Sequence, residues 1–82
     1  MHRQMELAHL RLADRHIAEG ALRIAAQADL VERLRAGKCP VEPAEDFLHL
    51  LRATMVGWHH HRRLILAALD EPTNDGFSAG LP

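Results

Sequence analysis

The sequence predicts an all-α protein: an antiparallel hairpin of two long helices. Three observations carry this reading. Two long stretches place apolar residues at alternating three- and four-residue spacing, the connection between them holds two prolines, and no stretch shows the every-second-residue alternation of a strand. Composition agrees. Hydrophobic residues make up 48% of the 82 positions but aromatic ones only 4%, with no Tyr, so the apolar share is mostly Ala, Leu, Ile and Val, a mixture suited to helices.

The first helix is expected over about residues 5–36, where the only Gly is Gly20 and there is no Pro. Leu7, Leu10, Ile17, Ala21, Ile24, Ala28 and Val31 form its stripe, which Ala13, Gly20 and Leu34 widen and Asp14 interrupts. Arg33 and Arg35 in the last turn, followed by Gly37 for a left-handed cap, mark its end. Residues 37–42 form the connection. Pro43 suits a first helical position, and Glu42, Glu45 and Asp46 put negative charge where the helix dipole favours it. The second helix is expected over about 43–70, with a stripe of Phe47, Leu48, Leu51, Met55, Trp58, Arg62, Ile65, Leu66 and Leu69. Residues 1–70 thus read as the hairpin. From Glu71 to Pro82 the chain turns to Pro, Thr, Asn, Asp, Gly and Ser, which reads as a flexible C-terminal tail.

The core expected between the helices is Leu10, Ile17, Ile24, Val31, Leu51, Met55, Trp58 and Ile65. Both helices carry further apolar residues on their flanks: Leu12, Leu22 and Leu30 on the first, Leu50, Val56 and Leu64 on the second. A short chain struggles to offset conformational entropy with a single seam. Covering these six residues in a homodimer, as a four-helix bundle, is the economical solution. The alternative is that they simply stand exposed, as single apolar residues often do.

A fold centred near Cys39 puts residue i roughly level with residue 79 minus i, so the small Gly20 and Ala21 are expected beside Trp58. Gly57, inside the second helix, is less favourable there than Ala by about 1 kcal/mol and points to close approach by another backbone, or to a local bend. Asp14, on the apolar stripe, needs a partner, and a polar contact with His61 or Arg62 is expected.

Seven His residues are the unusual ingredient. His59, His60 and His61 fan out about 100° apart on a helix, so they cannot face one ion together. His2, His9 and His16 recur every seven residues, about 10 Å apart along the axis, too far to share a metal. No HExxH or CxxC pattern is present, and no metal or other cofactor is expected. The alternative is a zinc or other transition-metal site assembled from Asp14, His16 and His61. A milder role for the imidazoles is repulsion beside Arg62 and Arg63 in mildly acidic solution.

Catalysis finds no support. Ser78 is the only Ser and lies in the tail stretch, Thr54 and Thr73 lack an activating base, and there is no Gly-rich phosphate loop. With 10 Lys plus Arg against 11 Asp plus Glu, the formal net charge is −1, and cations alternate with acids along the first helix; no nucleic-acid partner is expected. No apolar run approaches the ~20 residues of a membrane span, and the opening residues lack the pattern of a secretory signal. One Cys cannot form an internal disulfide. A cytoplasmic protein is expected.

The segments Asp14-Arg15-His16-Ile17-Ala18-Glu19-Gly20, Gln27, Leu30-Val31-Glu32-Arg33-Leu34, Trp58-His59 and Arg62-Arg63-Leu64-Ile65 resemble a group of small uncharacterised proteobacterial helical-hairpin proteins. The resemblance covers about residues 10–69. It implies a bacterial, soluble hairpin and carries no activity, cofactor or catalytic residue with it. The function expected is that of a noncatalytic helical module for self-association and protein interaction, with a small metal- or ligand-binding bundle as the alternative.

Overall fold

The computed structural model describes residues 2–70, which form two helices, α1 (His2–Ala36, 35 residues) and α2 (Glu42–Asp70, 29 residues), packed antiparallel as a hairpin. Among the described residues there is no strand. The expected tail, 71–82, lies outside the described residues.

The break between the helices is built by the backbone. The Cys39 N–H donates to Leu34 O at 2.9 Å and the Lys38 N–H to Arg35 O at 3.1 Å, the paired bonds of a Schellman turn, while the Gly37 N–H donates to Arg33 O at 3.0 Å and continues the helical ladder. The left-handed residue that this turn requires is Lys38, at φ 60°, and not Gly37 as the sequence suggested. A side chain at that conformation costs about 1–2 kcal/mol relative to Gly. Pro40 follows in the connection, and α2 starts at Glu42, where the Glu45 N–H donates to Val41 O at 2.8 Å. Val41 offers no capping side chain, so Glu42 and Glu45 in the first turn supply the favourable charge at that end.

Both helices meet along seams of strict heptad spacing. On α1 the seam is Leu10, Ala13, Ile17, Gly20, Ile24, Gln27, Val31 and Leu34; on α2 it is Ala44, Leu48, Leu51, Met55, Trp58, Arg62, Ile65 and Leu69, and Val41, just before the helix, continues the same spacing. Every one of these is buried or half-buried. A repeat of seven over several turns keeps one line of each helix facing the other. Ala13, Gly20 and Leu34 therefore lie on the seam itself, while Ala21, Phe47 and Leu66, assigned to the stripes from sequence, are exposed.

Two rods touch along one line only, so the core is thin. Among the described residues four apolar side chains are buried, Ala13, Val31, Leu48 and Ile65, and no large side chain is fully enclosed. Leu10, Ile17, Ile24, Leu51 and Met55 are half-buried, covered on one side by the opposite helix and open on the other. No helix among the described residues is long and apolar enough to cross a membrane.

Candidate functional site

The middle of the hairpin is organised by Trp58. Its ring stacks on His16, with centroids 4.3 Å apart and planes 18° from parallel, and takes His61 edge-on at 5.7 Å and 70°. Such aromatic pairs contribute about 0.5–1.5 kcal/mol beyond the area they bury. Gly20 lies beside Met55, with a hypothetical Cβ only 2.7 Å from the Met55 methyl. The register is therefore displaced by about one turn from that expected, under which Gly20 and Ala21 faced Trp58. The small position receives a thioether, and the indole is received by an imidazole.

Asp14 meets Arg62, whose Nε donates to Oδ1 at 2.6 Å. The contact lies at the edge of the seam and not inside it: Asp14 is exposed, and Arg62 runs its half-buried stem along the seam to reach it. His61 is exposed and takes no part in this contact. An exposed ion pair contributes at most ~1 kcal/mol. Its larger effect is positional, together with three other links between the helices. Gln27 Nε2 donates to Ala44 O at 2.9 Å, Arg35 pairs with Glu45 near the turn, and Arg3 Nη1 donates to Leu69 O at 3.3 Å. The last turn of α2 has no cation of its own, and Arg3 supplies one from α1.

These contacts sort the flanks of the hairpin into two sides. Asp14, Arg35 and Glu45 lie on one side of the seam; His16 and His61, both against Trp58, lie on the other. Helical phase adds Met5, Leu12 and Leu30 of α1 and Phe47, Leu50, Gly57 and Leu64 of α2 to the His16–His61 side. Leu22, Val56 and Leu66 project elsewhere. Of the six flank residues expected to seek cover, Leu12, Leu22, Leu50, Val56 and Leu64 are exposed and Leu30 is half-buried. Met5 and Phe47, also exposed, were not among them. The seven-residue spacing of Phe47 with Thr54 and His61, and of Leu50 with Gly57 and Leu64, was the available signal.

The donors considered for a metal are already occupied otherwise. Asp14 accepts from Arg62, and the rings of His16 and His61 pack on two aspects of Trp58. Among the described residues no group of three or more His, Cys, Asp or Glu side chains is placed to hold an ion. His9 Nδ1 lies 3.8 Å from the Glu6 carboxylate one turn away, and His49, His59 and His60 face solvent. Cys39 is a free, exposed thiol in the turn. At the open end of the hairpin, Arg3, Arg63, Leu66, Leu69 and Asp70 line a shallow groove. No family model matches the chain, and no curated protein or solved structure matches it either.

Proposed function

We propose that this protein is a noncatalytic helical module that works by self-association, making a four-helix bundle as a homodimer, and that it presents the faces left over to a protein partner in the cytoplasm. The observation that carries this reading is the contrast between four buried apolar side chains and eight large apolar ones exposed, Met5, Leu12, Leu22, Phe47, Leu50, Val56, Leu64 and Leu66, among the described residues. Grouped exposed apolar surface marks association sites, whereas scattered single residues do not. Five of the eight, Met5, Leu12, Phe47, Leu50 and Leu64, fall on one side of the hairpin. Recognition then proceeds by helix ridges packing into grooves, with Arg and Glu at the edges selecting alignment.

Sedimentation velocity over a concentration series tests the proposal. A species of twice the chain mass that dissociates on dilution is the expected result. A chain that remains monomeric at high micromolar concentration overturns it.

A further inference from the structure

Two packed helices leave a groove on each side of their contact, and on one side of this hairpin the two walls differ in charge. Asp14, Ala21, Ala28 and Arg35 stand every seven residues along α1, as Glu45, Arg52, His59 and Leu66 do along α2. Asp14, Arg35 and Glu45 reach across the seam on one side, so the residues spaced between them share that side. One turn away, Ala18 and Ala25 adjoin Ala21 and Ala28, and Val56 and Arg63 adjoin Arg52 and His59. The middle of the α1 wall is therefore alanine alone. The pairs Gly20 with Met55 and His16 with Trp58 set Ala18, Ala21 and Ala25 level with the stretch from Leu50 to Gly57, which contains Arg52.

Cations hold the α2 wall. From Phe47 to Leu69 the helix carries three Arg, four His and no Asp or Glu. The acids nearest on this side are already paired, Asp14 with Arg62, and Glu32 and Glu45 with Arg35. Among the described residues neither Arg52 nor Arg63 has a carboxylate within ion-pair distance, and both are exposed.

Resting on the reading of this chain as an interaction module, we infer that an acidic amphipathic helix of a protein partner docks in this groove. Small and apolar residues of that helix pack on Ala18, Ala21, Ala25 and Ala28, while Asp or Glu along its edge faces Arg52, His59 and Arg63. Alanine on the wall lets a third helix come close, because the distance between helix axes follows the side chains at the contact. From Glu45 to Arg62 the groove runs ~26 Å, about five turns of helix. A helix with one apolar and one acidic edge matches both walls. Nucleic acid matches them poorly, since two unpaired Arg make few phosphate contacts and the alanine wall makes none.

The probe is a labelled helical peptide of ~18 residues, an Ala and Leu stripe edged by Glu, followed by fluorescence anisotropy in about 0.15 M salt. Binding at tens of micromolar or tighter is expected. Arg52→Glu and Arg63→Glu should each weaken it roughly fivefold or more, and Ala21→Trp, which fills the groove, roughly tenfold or more. Arg23→Glu makes the same charge change seven residues from His16, on the opposite side, and should stay within about twofold because charges beyond ~8 Å are screened. All four positions are exposed, so helical circular dichroism should not change. The same peptide with Lys in place of Glu should not bind.

Absence of peptide binding by a chain that still dimerises overturns this groove and leaves self-association standing. Binding that Arg52→Glu and Ala21→Trp leave unchanged overturns it too, as does equal binding of the Lys peptide. Tighter binding of an oligonucleotide with the same dependence on Arg52 and Arg63 makes phosphate the ligand and overturns the acidic helix. Loss of the dimer in Ala21→Trp makes the groove the self-association surface and likewise overturns it. A monomeric chain that binds the peptide with the expected dependences supports the groove and overturns the homodimer.

Discussion

Gly20 and Gly57 are both glycines inside long helices, and their surroundings are opposite. Gly20 sits on the α1 seam against the end of Met55; Gly57 faces open space on the outer stripe of α2. The first is accounted for by the chain's own packing: a small residue lets a large one cross. The second has no such account within the hairpin, although helix propensity penalises it equally. The difference teaches that the packing of one hairpin accounts for only part of the apolar and small residues its two helices carry.

The widest separation between these surfaces is expected at two neighbouring residues, Ile65 and Leu64, which are 4% and 56% exposed. Ile65→Ala should reduce stability by about 2–4 kcal/mol in urea unfolding followed by circular dichroism. Leu64→Ala, measured dilute enough to keep the chain monomeric, should stay within ~0.5 kcal/mol. Equal losses at both positions would erase the distinction. The glycines sharpen it on a smaller scale. In dilute solution Gly57→Ala should gain up to about 1 kcal/mol from helix propensity, whereas Gly20→Ala should gain little, because the new Cβ requires the Met55 methyl to swing away. A full gain at Gly20 would show that Met55 moves freely. The smallest effect belongs to the edge of the seam, where Asp14→Ala should lose under ~1 kcal/mol, and less as salt screens the exposed pair with Arg62. A loss of several kcal/mol, insensitive to salt, would place that pair inside the core.

Much of the architecture is legible because helix periodicity is a local property. The three- and four-residue spacing, the prolines at 40 and 43 and the acids that open α2 all act within a turn or two of themselves. The candidate site was legible in a coarser way. Asp14 called for a partner, and Arg62 rather than His61 supplies it, because the guanidinium is long enough to run out of the seam to an exposed carboxylate. His16 gave no sign of stacking on Trp58, because a position on the flank of one helix says nothing about the level at which an indole arrives from the other. Lys38 takes the left-handed residue of the turn because the hydrogen bonds to Leu34 and Arg35 fix which residue must reverse the chain, and they fall one place beyond Gly37.

What the amino-acid order determined by itself is therefore two amphipathic rods, the break between them and the small residues set along each. What tertiary structure decided is the slide of one rod on the other, and with it the pairs Gly20 with Met55, His16 with Trp58 and Asp14 with Arg62. The reason is the heptad itself. Moving one helix by about a turn returns apolar residues to apolar residues, so the repeat is nearly indifferent to register. Only the fit of particular shapes and the reach of particular charges separate one alignment from the next.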